Sequence, residues 1–394
     1  MDRHVRDRAA SDRRLLVISQ RTDRTGAPVQ LAVLLDGLQH ESGMRITVLL
    51  GSSGVVSSVL ASHATKVKRE PRLLRLLSAA GRRAPGRLER LVLWVWEQSM
   101  RVFVGRQDLV YVNSLSSRRL AKPFVRLPAL VHVHEIGTFA EASGEDGRHL
   151  LNRARLIAVP SQVAEDWVIG SGVEPGRVTR IPGSLTDSAF EAPEASEVES
   201  LALLLSIPPG ALVVSSVGWI GEMKGSDRFL AVARRLTERM TDRQVRMLWV
   251  GGDVSTGAGA RFAQEIEREG LGDVVTIAPG LTDLRLVYCL STVVLIASRE
   301  ESLSLVALEA AAQRTPVVAF PGAGGPDELA DEGVVLLAGG TEAEDMAALI
   351  AELCASPDAI AKQSGRAYRA VMDSHRRRNG QARLVEALRK VSEA

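Results

Sequence analysis

The chain has 394 residues, 45% hydrophobic and 24% charged, enough apolar material for two cores and too much for wholesale disorder. A formal net charge of +2 argues against a general nucleic-acid binder. Two cysteines, Cys289 and Cys354, are too few for a disulfide framework and lack metal-site spacing, so the expected setting is a reducing cytoplasm, at most at the inner face of the membrane.

The first 13 residues alternate charges of both signs and read as a disordered tail. No run of about 18 apolar residues follows, so no membrane span is expected. Short β-branched runs then precede longer helical patterns: 14–19, 45–50, 109–113, 129–134, 156–160 and 178–181 in one half. The runs 212–217, 246–250, 274–278, 293–296, 316–320 and 334–337 form a second series. This alternation predicts an α/β chain of two doubly wound parallel sheets facing a cleft. The acidic segment Thr186–Glu199 has no strong apolar period and reads as a connector. The expected organisation is an N-terminal domain over 14–192, a linker over 193–204, a C-terminal domain over 205–375, and a helix over 376–394 that crosses back to the first half.

From Lys66 to Arg90 nine basic residues stand against Glu70 and Glu89, with leucines interleaved and Trp94 and Trp96 just after. The stretch 66–96 reads either as a solvated helix pair over the first sheet or as a peripheral contact with an anionic membrane.

Residues just beyond strand carboxyl ends carry ligands in such sheets. After the strand at 293–296 come Glu301 and, eight residues later, Glu309. Were a helix to cover the interval, the two carboxylates would stand about 12 Å apart, too far to hold one atom but suited to two ends of one long ligand. Ser302 or Ser304 can cap that helix, whose N-terminus attracts an anionic diphosphate. The glycine-rich segment Gly322–Glu328 follows. After the strand at 212–217, Gly218-Trp219-Ile-Gly-Glu-Met-Lys224 offers glycines for close backbone approach and a lysine for phosphate charge. In the first half, His132-Val-His134-Glu135 closes a strand; His132 and His134 are expected on opposite faces, one of them structural. The segment carries no convincing third metal ligand, and no metal is expected. Gly26-Ala27-Pro28 follows the opening strand, with Pro28 suited to a first helical turn.

Together these residues resemble glycosyltransferase family 4, the retaining nucleotide-sugar transferases of GT-B fold, from about Leu15 to Val371. Glu301 and Glu309 match its Glu-x7-Glu pattern, within Ser298-Arg-Glu-Glu301 followed by Leu305-Val306-Ala-Leu-Glu309-Ala. The resemblance implies Glu301 on donor-sugar hydroxyls, Glu309 on the ribose, Lys224 with Leu305 and Val306 at the diphosphate, and Gly218 and Trp219 beside the donor. It places His134 at the transferred sugar, making His134, Lys224 and Glu301 the catalytic set, and puts Gly26 near donor and acceptor. Ala27, Asn113 and Glu135 are read on the acceptor side. Trp219 stands where many members have arginine, and Glu301-Ser-Leu-Ser304 departs from the Asp-Pro-Phe-Pro continuation of one branch.

The implied activity is hexosyl transfer from a UDP- or GDP-sugar to an acceptor hydroxyl of a glycan, lipid-linked or small-molecule acceptor. It needs no cofactor and proceeds by front-face substitution, since no carboxylate is placed as a covalent nucleophile. The alternatives are a nucleotide-sugar 2-epimerase, a phosphorylase, or a catalytically weak GT-B binding protein.

Overall fold

The computed structural model describes residues 13–255 and 257–393, and these divide into two compact units, 13–184 with 377–393, and the described part of 185–376. The disordered tail expected over 1–13 lies, apart from Arg13, outside the described residues.

The first unit is built on seven strands, β1 (Arg14–Ser19), β2 (Arg45–Leu50), β3 (Lys66–Arg69), β4 (Leu109–Asn113), β5 (Ala129–His132), β6 (Leu156–Val159) and β7 (Val178–Arg180). They run parallel in the order β3-β2-β1-β4-β5-β6-β7. Alternate residues feed two cores: Leu16 and Ile18 of β1 pack with Trp96, Met100 and Val112, while Leu15 and Val17 pack with Leu31, Leu34 and Tyr111. Strands covered on both faces are largely apolar, which is why these runs are legible. The last helix, Arg377–Glu393, completes the second of these cores through Leu384, Leu388 and Val391, and Arg377 pairs with Asp36.

The second unit holds β8 (Leu212–Val217), β9 (Val245–Val250), β10 (Val275–Ala278), β11 (Val293–Ile296), β12 (Val317–Ala319) and β13 (Val335–Leu337), parallel in the order β10-β9-β8-β11-β12-β13. One face carries Val214, Met247, Trp249, Leu295 and Phe320; the other carries Val294, Ile296, Ala319 and Val335.

Three readings change. The segment read as a linker contains the helix Ala195–Leu204, which belongs to the second unit and packs Leu201 against Leu248 and Val250. Its apolar period was hidden because Leu203 and Leu204 face solvent. Lys66–Arg69, read within a helical basic stretch, is the edge strand β3, where charged side chains suit an unpaired edge. Helices Arg72–Gly81 and Gly86–Val104 follow it. The strand read to residue 134 ends at His132.

Candidate active site

In each sheet the strand order reverses once, between β1 and β4 and between β8 and β11, and the carboxyl ends beside such a reversal are where open α/β sheets bind ligands.

In the second unit, β8 passes through Gly218 and Trp219 into a 3-10 turn, Glu222–Lys224, then Gly225 and the helix Ser226–Arg239. Gly225 has φ +71°, and a Cβ there would stand 2.0 Å from the Ala297 carbonyl oxygen, so only glycine lets this loop close against the end of β11. Arg299 stitches the two loops: its N–H donates to the Met223 carbonyl at 2.9 Å, and its guanidinium grips Asp227 at 2.8 and 2.6 Å. That fork holds the Asp227 carboxyl below the usual carboxylate range.

The closure brings Lys224 Nζ to 2.6 Å from Glu301 Oε1, which also accepts the Ser298 hydroxyl at 2.7 Å. Lys224 is about a quarter exposed and Glu301 about an eighth, so the pair is partly desolvated and still reachable. Glu301 N–H donates to the Ala323 carbonyl and its carbonyl accepts from Gly325 N–H, both at 2.8 Å. The segments after β8, β11 and β12 thus meet at one residue, the first two on its carboxylate and the third on its backbone. Glycine at 325 is required, since a Cβ would lie 2.7 Å from Leu303 Cα.

The helix Leu305–Ala312 begins four residues after Glu301. The ruler imagined for a continuous helix therefore does not apply: Glu301 sits on extended backbone bridged to Gly324, and only Glu309 is helical. Ser304, not Ser302, is the cap, accepting from Ala307 N–H at 3.4 Å. The first-turn N–H groups of Leu305 and Val306 have no acceptor within the helix. Glu309 Oε2 accepts the Tyr288 hydroxyl at 2.6 Å; burial first, then the glutamate, push that phenol's pKa well above its ordinary value, so it remains a donor. Tyr288 was not found from sequence, where it is one aromatic in an apolar helix. Gly218 lies under the Lys224 stem, and its carbonyl accepts from Trp249 Nε1 at 2.9 Å. Trp219 is half-exposed with its ring folded over Gly221, a surface aromatic in place of a cation.

In the first unit, Asn113 ends β4, buried, and its amide is used at both ends: Nδ2 donates to the Ala27 carbonyl at 3.1 Å, and Oδ1 faces His134 Nε2 at 3.0 Å. With Nδ2 committed, Oδ1 must accept, so His134 carries its proton on Nε2. Gly26 and Ala27 open the helix Gly26–Leu35, with Pro28 in its first turn.

His132 and His134 do not point to opposite faces; residues two apart on extended backbone share a side, and their rings lie 4.0 Å apart. His132 is the structural one, buried, with Nδ1 at 2.8 Å from the Tyr111 hydroxyl. Burial lowers both imidazoles, His134 to about 4 despite the opposing pull of Glu135. Glu135, read as an acceptor-side group, turns inward: it accepts from the Ser114 hydroxyl, from Leu115 N–H at 3.2 Å and from His134 N–H at 3.1 Å. It braces the turn where Ser114 is held at φ +73°. Among the described residues, no group of three or more His, Cys, Asp or Glu side chains is arranged to hold a metal ion.

Two Rossmann-like units, each with its polar constellation at a strand-order reversal, define the GT-B fold, and residues 205–370 match the family described as glycosyl transferases group 1. The D-inositol 3-phosphate glycosyltransferase 2 of Catenulispora acidiphila is 32% identical over 282 residues, 65% of either chain. The D-inositol 3-phosphate glycosyltransferase of Rhodococcus erythropolis is 34% identical over 220 residues, 55% of this chain and 49% of its own. The match thus spans less than two thirds of either relative's length. Anabaena Alr3699/HepE, solved with UDP and glucose, superposes with a TM-score of 0.78 at 21% identity, over 95% of this chain and 99% of its own. Sucrose-phosphate synthase of Thermosynechococcus elongatus gives 0.74 at 18%, over 96% and 99%. These structures establish the fold.

Proposed function

We propose that this chain transfers a hexosyl group, with retention, from a UDP-sugar to a hydroxyl of a polyol, glycan or lipid-linked acceptor. The observation that carries the reading is the Lys224–Glu301 pair at the β8/β11 reversal, beside a capped helix start that carries Glu309 one turn further on. A bare cation would hold any phosphate; a cation balanced by a carboxylate suits a ligand bringing both a diphosphate and sugar hydroxyls. Lys224 and the N–H groups of Leu305 and Val306 take the diphosphate, Glu301 turns to the sugar hydroxyls, and Glu309, set by Tyr288, takes the ribose. Gly218 leaves room for the donor and Trp219 offers it an apolar surface. UDP is favoured as the nucleotide by the UDP bound in the similar Anabaena structure, and a hydroxylic acceptor by the inositol phosphate named in the relatives.

The C1–oxygen bond to the diphosphate breaks and a bond from the acceptor oxygen forms on the same face. The acceptor proton passes to the leaving diphosphate, giving UDP and glycoside. Lys224 and the helix start stabilise the charge growing on that group, the kind of preorganised electrostatics that dominates catalysis, so no divalent metal is required. In the first unit His134 meets the transferred sugar as a neutral imidazole, and Gly26 and Ala27 line the acceptor side. Asn113 and Glu135 act through the backbone and His134 they hold.

Thermal unfolding with UDP, GDP and ADP tests the donor. Saturating UDP at about 100 times its Kd should raise the midpoint by roughly 5 °C or more, and GDP and ADP by little. Transfer should persist in EDTA and fall on the order of a hundredfold in Lys224→Ala and Glu301→Gln. Near-normal transfer by both variants, or an equal response to all three nucleotides, would sink this reading.

A further inference from the structure

The helices Arg72–Gly81 and Gly86–Val104 carry more apolar surface than their packing uses. The second seats Trp96, Met100 and Val104, four residues apart, in the core of the first unit. Another side lies against the first helix, where a Cβ at Gly81 would stand 2.7 Å from Leu93 Cδ2. The remaining face is bare: Leu88, Leu91, Val95 and Val102 lie along one stripe, with Trp94 at its flank 58% exposed. The first helix buries Leu77 partly in the same core but leaves Leu73 75% exposed and Leu76 67% exposed. A water-facing helix side is ordinarily polar, and exposed apolar patches of this kind mark interaction surfaces.

Charge identifies what covers it. Between residues 71 and 96 six arginines stand against the single acidic residue Glu89. Arg75 is spent on buried Glu70 and Arg82 on the Ser78 hydroxyl. Arg72, Arg83, Arg87 and Arg90 are exposed, and among the described residues none of them has an ion-pair partner. A second copy meeting this face with its own would oppose these cations to each other, which like-charge repulsion penalises. Nucleic acid would engage the arginines but leave the leucines in water. An anionic bilayer serves both, headgroups taking arginines, acyl chains taking leucines and the indole sitting at the boundary.

We infer that this helical hairpin, Arg72–Val104, is a docking surface for anionic lipid membranes, whatever reaction the chain catalyses. The full chain should co-sediment with vesicles of phosphatidylcholine containing phosphatidylglycerol and far less with phosphatidylcholine alone. The binding should weaken as salt rises from 0.1 to 0.5 M, because the arginine contribution is screened. At about fivefold per arginine, Arg83→Glu/Arg87→Glu/Arg90→Glu should lower the partition coefficient on the order of a hundredfold or more. Leu91→Ser/Trp94→Ser should also release the protein, and lipids brominated on the acyl chain should quench wild-type fluorescence more than that of Trp94→Phe. Circular dichroism and thermal melting establish that each variant is folded, since all these residues face solvent. Failure of the wild type to co-sediment at low salt, or binding indifferent to arginine reversal, overturns the inference. A lipid-free dimer broken by Leu91→Glu, or tighter retention by RNA than by vesicles, overturns it in favour of that partner.

Discussion

Asn113 spends both ends of its amide inside the first unit, on Ala27 and on His134. It therefore ties together the three strand ends, after β1, β4 and β5, from which the site residues of this unit come. A side chain with one donor and one acceptor committed in a buried place cannot be shortened without stranding two partners. Asn113→Ala should cost about 2 kcal/mol by urea unfolding, and the ring 15N shifts of His134 should no longer report a proton fixed on Nε2. An unchanged tautomer signature would mean that Asn113 does not orient the imidazole. The same residue shows how far single positions could be read. Glu135 and Asn113 stood out as polar groups after strands, but a sequence does not tell whether such a group faces a ligand or its own backbone. Tyr288 went unnoticed because it stands among Val287, Cys289 and Leu290 in a short helix, and its partner Glu309 is 21 residues away until the fold brings the two together.

At the scale of elements, loop 218–225 depends on one backbone conformation. Gly225 combines a left-handed φ with contact against the Ala297 carbonyl. An alanine there pays about 1–2 kcal/mol for the conformation alone and must also displace the carbonyl at the end of β11. Gly225→Ala should therefore destabilise the second unit by about 3 kcal/mol in total and separate Lys224 from Glu301. The expected kinetic signature is a raised donor KM together with a lowered kcat. A variant with wild-type stability would show that the loop can close in another way. Elements buried on both sides, such as β1 and β8, were legible to the residue because each carries an unbroken apolar run, Leu15–Ile18 and Leu212–Val214. β3 and the helix Ala195–Leu204 were not, since a four-residue edge strand with three basic side chains and a helix with one buried leucine have almost no period to read.

Across the whole molecule, His132 and His134 couple stability to pH. Burial holds both below the ordinary value of 6.5, His134 at about 4. From pH 6.5 down to 4 the unfolded chain binds protons that the folded chain refuses, so stability falls as pH falls through this window and is level above it. Urea midpoints at pH 7.5, 6 and 5 should decline in that order, and His134→Gln should flatten the decline. An identical slope in the variant would assign the acid sensitivity to the carboxylates.

The local record was enough for two parallel sheets, the positions of Glu301, Glu309 and Lys224 after their strands, and the arginine-rich hairpin. Each rests on side-chain period or on chain position next to a strand, properties that neighbouring residues define. Tertiary structure alone decided the rest: the pairing of Lys224 with Glu301 across 77 residues, the inward turn of Glu135, the stacking of His132 on His134, and the placing of the last helix in the first unit. These depend on which distant groups share a buried space, where an unmatched charge or amide is costly, and that is fixed only when the sheets have closed.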